Sequence, residues 1–269
     1  GLVLDNTVDT LQGADLANDC DESDAGDNEA LCLNDIDNTM GPISQSNVVS
    51  GDTPTDSHLN NFEATQLAVA QNDCDETGTG NNEANCNIDD DTTNDIFSVT
   101  QLNQVTDADS ASQLNNISTV QVLDLQNDCD ESEDGINIPD VCEISAVDNE
   151  LDLITQTNTA TGSALADISQ NNQIAGSDGL AFGIIQTIEH SNDCDETGPG
   201  DNFAECDISS VENDDINSIT QDNLVTAADD ATAISQDNGA AILQAIVAIN
   251  DCDESSTATG DNTALCGNE

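Results

Sequence analysis

Apolar and polar residues alternate with a period of two over short stretches of this chain, and the same stretches return along its length. The clearest series is Ile43-Ser-Gln-Ser-Asn47, Val99-Thr-Gln-Leu-Asn103, Ile154-Thr-Gln-Thr-Asn158 and Ile219-Thr-Gln-Asp-Asn223. In a strand, this alternation puts the β-branched residue and Gln on one face. An echo follows 12 to 21 residues later at Thr65-Gln66, Ser112-Gln-Leu-Asn115, Ile168-Ser-Gln-Asn-Asn172 and Ile234-Ser-Gln-Asp-Asn238. A more apolar strand comes next, as in Val120-Gln-Val-Leu-Asp-Leu125 or Ile184-Ile-Gln-Thr-Ile188, with Asp, Ala, Gly and Ser supplying turns between the echoes. The Ala-rich segment 227–248 competes as a helix, but Gly239 interrupts it and sister units carry β-branched residues there.

Each apolar strand runs into a motif written five times: Asn18-Asp-Cys-Asp-Glu-Ser, Asn72-Asp-Cys-Asp-Glu-Thr, Asn127-Asp-Cys-Asp-Glu-Ser, Asn192-Asp-Cys-Asp-Glu-Thr and Asn250-Asp-Cys-Asp-Glu-Ser. A polar loop and a second cysteine follow, and short motifs such as Cys86-Asn-Ile-Asp and Cys206-Asp-Ile-Ser restart the path. The pairs Cys20/Cys32, Cys74/Cys86, Cys129/Cys142, Cys194/Cys206 and Cys252/Cys266 use all ten cysteines. First cysteines stand 54, 55, 65 and 58 residues apart, a period that marks repeated structural units. The expected fold is all-β: a solenoid-like array of stacked strands with one disulfide loop per repeat. Its divisions are a half repeat with the first cysteine loop over 1–42, then repeats over 43–98, 99–153, 154–218 and 219–269. A string of small β-domains exchanging edge strands, with residues 1–19 as the donated strand, is the other arrangement this pattern allows.

Closing a loop of about 13 residues contributes roughly 3 kcal/mol through loop-closure entropy, and five such closures offset a thin core. The core is thin because aromatic residues are 1% of the 269, with four Phe and no Trp or Tyr. Zinc ligation needs closer Cys or His spacing, and a reactive thiol needs basic neighbours, so structural disulfides are expected. Paired cysteines and a first residue, Gly1, that is not Met point to a mature secreted or cell-surface protein. No apolar run reaches the length of a membrane-spanning helix.

Lys and Arg are absent, against 56 Asp plus Glu and two His. Nucleic acid and anionic membranes are therefore not expected partners, since both are bound through basic patches. Such charge with so few aromatics also describes disordered chains, but the β-branched runs and cysteines recur in register. The acids crowd the cysteine motifs: Asp19, Asp21, Glu22 and Asp27; Asp73, Asp75 and Glu76; Asp128, Asp130 and Glu131; Asp193, Asp195, Glu196 and Asp201; Asp251, Asp253, Glu254 and Asp261. Calcium takes six to eight oxygens, which these loops supply in number, although the spacing is not that of an EF-hand. Calcium or another divalent cation is the expected cofactor, and a solvated acidic face is the alternative. His58, placed in a loop, and His190 at a strand end are read as solvated or locally bonded. No nucleophile motif, phosphate loop or organic-cofactor fingerprint is present, so no enzyme is expected. Asn116-Ile-Ser118 is the one N-glycosylation sequon.

The Gln-x-Asn strands resemble curlin-type repeats, in which Gln and Asn stack into ladders along an amyloid-like solenoid, and acidic archaeal-type secreted fibre proteins. The residues carrying the resemblance are Gln45/Asn47, Gln101/Asn103, Gln156/Asn158 and Gln221/Asn223, with echoes at Gln113/Asn115, Gln170/Asn172 and Gln236/Asn238. The Gly of the curlin pattern is mostly missing, the spacing is irregular and the disulfide loop has no counterpart. The resemblance implies a secreted subunit that assembles with itself. Stacked side-chain amides support the same reading independently, since they satisfy one another between coils. A calcium-dependent adhesin acting as a monomer, and an enzyme on a β-helix, are the rival readings.

Overall fold

The computed structural model describes residues 2–21, 23, 28–50, 56–74, 82–88, 92–107, 110–129, 131–132, 140–162, 165, 167–176, 182–194, 196–197, 203–213, 216–227, 233–252, 254–255 and 263–268. Among these the structure is all-β, with parallel sheets of stacked strands. The chain passes through successive coils: a long strand up to the first cysteine, a short strand through the second and, after the first four of these, a return strand. The long strands are Leu2–Asp19, Asp56–Asp73, Ser110–Asp128, Asp167–Ile174 with Ile184–Asp193, and Ile234–Ala240 with Ile242–Asp251. They form one seven-stranded sheet. The return strands form a six-stranded sheet from Asp37–Met40 with Ile43–Ser50, Thr92–Thr106, Val147–Gly162, and Val211–Glu212 with Ile216–Ala227. The cysteine strands Asn28–Asn34, Asn82–Ile88, Asp140–Ile144, Phe203–Ile208 and Thr263–Asn268 form a five-stranded sheet.

Every strand pair in these sheets is parallel, and the register sets like on like. Asn60 pairs with Asn115, Gln66 with Gln121, Gln101 with Gln156 and Cys86 with Cys142. Parallel strands need a long connection before the chain can return in the same direction, and here the rest of the coil provides it. Within a coil, Asn18 meets Asn34, Gln12 meets Thr39 and Asn6 meets Asn47. Long and return strands therefore run in opposite directions with their inner faces opposed.

The interior is layered across its width. Next to the cysteines, Ala68, Ala70, Leu123, Leu125 and Ile188 pack on Ile36, Ile88, Ile144, Val147 and Ile208. A second apolar layer joins Phe62, Ala64, Ile117, Ile174 and Ile184 to Met40, Ile96, Val99, Leu151 and Ile154. A third, around Val105, Ala111, Ala160, Leu165 and Ile168, closes the far edge. Buried Gln and Asn stand between the layers, so the apolar material is short aliphatic and comes in separate bursts. The low aromatic content matches this composition, with Phe62 the ring buried in the second layer.

The turns expected within the long strand are absent from coils 2 and 3, where Asp56–Asp73 and Ser110–Asp128 run unbroken. In coil 4, by contrast, residues 175–183 stand where coil 3 has only Ser118 between Ile117 and Thr119. Ala175 N–H donates to Ile117 O at 3.2 Å and Thr119 N–H to Gly183 O at 2.7 Å, so the ladder resumes in register on both sides. Gly183 sits so close to the backbone of Ile174 and Ala175 that no Cβ fits there. A glycine lets the chain close this excursion and rejoin the sheet.

Replacing Asn115 by Leu removes an acceptor that Asn60 and Asn103 each reach at 2.9 Å, and strands their amide protons in a buried layer. The expected loss is about 2–4 kcal/mol of unfolding free energy, measured by denaturant titration. Ser112→Ala, on the exposed side of the same strand, should stay within about 0.5 kcal/mol of wild type.

Candidate functional site

The Gln-x-Asn residues are gathered into continuous hydrogen-bonded files. Nine asparagines alternate between the two sheets in chain order: Asn6, Asn47, Asn60, Asn103, Asn115, Asn158, Asn172, Asn223 and Asn238. Each Nδ2 donates to the Oδ1 of the next, over 2.8 to 3.1 Å. The file climbs half a coil per step and keeps one polarity throughout. Its second amide proton goes to a backbone carbonyl or to the Asn one coil on, as in Asn103 Nδ2 to Leu114 O at 3.0 Å and to Asn158 Oδ1 at 3.1 Å.

Glutamines form straight columns with the opposite polarity. Gln101 donates to Gln45, Gln156 to Gln101 and Gln221 to Gln156 over 2.8 to 3.0 Å. Gln170 donates to Gln113 at 2.8 Å and Gln236 to Gln170 at 2.7 Å. A third column, hidden in the apolar strands, runs Gln244 to Gln186 to Gln121 to Gln66 to Gln12 over 2.7 to 3.0 Å. Thr65-Gln66 therefore belongs to this third column and is not the echo of Gln113. The residue registered with Gln113 in coil 2 is His58. At the last coil the inner face opens: Ile234, Ile242 and Ile246 are 46%, 38% and 46% exposed. The residues beneath them in the same columns, Ile168, Ile184 and Ile188, are buried.

All five expected disulfides are present, with Cα–Cα distances of 6.1 to 6.6 Å. They lie one above another as a sulfur spine along one edge of the stack. Outside this spine, the conserved register of the repeat sets Asp19, Asp73, Asp128, Asp193 and Asp251 in one exposed column. The first four line an open groove of about 390 Å³. The charge of Asp21, a hydrogen bond to it, and Asp73 raise the Asp19 carboxyl above its ordinary range. The backbones of Glu131, Glu196 and Glu254 pair in a short three-stranded sheet. Glu22, Asp27, Asp75, Glu76, Asp130, Asp195, Asp201, Asp253 and Asp261 lie outside the described residues. Among the described residues, the groups of three ligand atoms within 4.8 Å of one another are cysteine sulfurs, not carboxylates. Asn116 lies half-buried in mid-strand with its Nδ2 2.8 Å from Asn61 Oδ1, and Ser118 is buried.

Two ionisable features were not foreseen. On the outer side of the return sheet, Asp95 stacks on Glu150. Asp95 is 8% exposed, and its Oδ1 has no hydrogen-bond partner. Burial first, then Asp152 and Asp37, raise its carboxyl. Glu150 is pushed up to about 7 by burial, by a hydrogen bond and repulsion from Asp152, and by Asp95 and Asp148. The histidines are buried rather than solvated, each 1% exposed and within a long strand. His190 sits between Leu125 and Ala248 in its column, and burial lowers it to about 4.

No protein-family profile, curated protein or solved structure matches this chain.

These groups act on stability in opposite directions. Glu150 titrates at about 7 folded and 4.5 unfolded, so its contribution is full below pH 4.5 and is lost as pH rises through 7. His190 titrates at about 4 folded and 6.5 unfolded, so stability is full above pH 6.5 and is lost as pH falls through 4. Thermal melts across pH 3 to 8 should show Glu150→Gln flattening the alkaline loss and His190→Leu flattening the acid one. Unchanged profiles would contradict these assignments.

Proposed function

We propose that this chain is the structural subunit of a secreted, self-assembling extracellular filament, with copies joined end to end by continuation of the β-stack. The observation that carries the reading is the polarity of the amide files. Gln244 presents its Oε1 beyond the last coil, in line with the column in which every lower Oε1 accepts from the coil above. A second copy set on that face would bring Gln12 Nε2 to Gln244, its own first strand then covering Ile242 and Ile246. Such contacts are head to tail, so they generate an open filament rather than a closed dimer. Calcium or another divalent cation serves as counter-ion, bridging neighbouring carboxylates of the Asp19–Asp251 column, whose repulsion no Lys or Arg relieves.

Export is supported by five disulfides and by the lack, among the described residues, of a helix long and apolar enough to cross a membrane. The working partner is the chain itself, together with cations. Nucleic acid and membrane insertion have no part in this reading, and neither does catalysis.

Negative-stain electron microscopy with and without a calcium chelator tests it. Unbranched filaments are expected, and their loss on chelation would assign the cation to the assembly. Ile242→Glu with Ile246→Glu, at positions already exposed, should leave a folded monomer in size-exclusion chromatography and no filaments on the grid. Wild-type protein that stays monomeric in both buffers would overturn the proposal and favour a monomeric adhesin.

A further inference from the structure

Stacking brings together cysteines that the sequence keeps far apart. Cys32 Sγ, from coil 1, lies within 4.8 Å of Cys74 Sγ and Cys86 Sγ, the disulfide pair of coil 2. Cys194 Sγ, from coil 4, lies within 4.8 Å of Cys129 Sγ and Cys142 Sγ, the pair of coil 3. All six residues are buried. No disulfide joins the two coils of either triplet; the backbone holds them together. Cys20 N–H donates to Asp73 O at 2.8 Å and Cys129 N–H to Asp193 O at 2.9 Å. In the cysteine sheet, Cys32 is registered with Cys86 and Cys142 with Cys206. The spacing along the chain excludes a zinc motif, yet the fold assembles three sulfurs at each of two places.

We propose that the chain, while its cysteines are reduced, binds two Cu(I) ions, one at Cys32/Cys74/Cys86 and one at Cys129/Cys142/Cys194. Thiolate is the soft donor that selects Cu(I), and three of them make a trigonal set. Structural zinc calls for four ligands, and among the described residues neither triplet gains a fourth Cys, His, Asp or Glu. Metal–thiolate bonds of about 2.3 Å put the sulfurs of a trigonal set about 4 Å apart. The inter-coil sulfurs already lie within 4.8 Å, and the opened S–S pair has only to spread to that separation. Disulfide formation withdraws the donors, so oxidation and metal occupancy exclude each other. A phosphine and one water convert each disulfide to two thiols, with the phosphine leaving as its oxide. Each triplet of thiols then releases three protons as it takes up one Cu(I), whose oxidation state does not change. Cys252 and Cys266 belong to neither triplet, so the count is two per chain rather than one per coil.

The test reduces the whole chain anaerobically with a phosphine, removes the phosphine, and titrates Cu(I) against a chromophoric chelator. Two tightly held equivalents are expected, each with three sulfur neighbours by X-ray absorption. Circular dichroism of the reduced chain should keep its β signal, because the amide files hold the coils in place. Two double variants separate the triplets from the disulfides. Cys20→Ser/Cys206→Ser and Cys32→Ser/Cys194→Ser remove the same two disulfides, but only the second takes one sulfur from each triplet. The first should bind copper as the wild type does. The second should bind at least about tenfold more weakly, with two sulfurs per copper. Equal affinity and coordination in the two variants would overturn the proposal. Five equivalents in the wild type, or loss of the β signal on reduction, would overturn it as well.

Discussion

The amide-to-amide hydrogen bond between successive coils is what the rest of this structure depends on. A two-sheet stack only a few aliphatic side chains deep buries little area per residue, and 25 cal/mol per Å² of apolar surface does not by itself order so long a chain. A buried Asn or Gln is costly unless its donors and acceptor are all met, and far less so when its neighbour above is identical. In-register parallel pairing meets that condition along the Gln columns and the Asn6–Asn238 file, with Gln186 on Gln121 on Gln66 as one example. Any slip by one residue would turn these amides outward and leave their partners unpaired inside, so the ladders specify the register as strongly as they stabilise it.

The same register has an electrostatic cost. Stacking like on like also stacks carboxylate on carboxylate, at Asp19 through Asp251 and at Asp95 on Glu150. With no basic residue in the chain, relief comes from protons or from dissolved cations. Glu150 takes the first route at neutral pH, because burial and Asp152 make its charged form unfavourable. The exposed aspartate column is open to the second. The disulfide spine sits beside that column and ties the long strand to the cysteine strand within each coil.

Much of this was legible in the sequence. The period-two Ile-Thr-Gln-x-Asn runs gave strands, the matched cysteines gave the loops, and Gln45, Asn47 and their sisters stand in buried files. Legibility failed where one residue stands in for another. His58 occupies a column that is otherwise glutamine, so no motif marked it, and Thr65-Gln66 drew the match instead. The Gln12–Gln244 column was hidden because a glutamine amid Val, Ile and Leu reads as an apolar strand. The unbroken long strands of coils 2 and 3 were obscured because small polar residues signal turns locally, while stacking on neighbours overrides that preference. Asp95 and Glu150 lie 55 residues apart and meet only through the register.

The claim that these repeats form one stack, rather than small domains strung along the chain, is open to a single distance measurement. Leu11 and Leu243 face outward in one column, four strand spacings apart through Thr65, Val120 and Ile185. Nitroxides introduced there through non-canonical residues, diluted in unlabelled protein, can be measured by double electron–electron resonance. The stack predicts one narrow distribution centred at about 20 Å, set by four spacings of about 4.8 Å. A broad distribution centred beyond about 40 Å, as for independent domains on linkers, would contradict it.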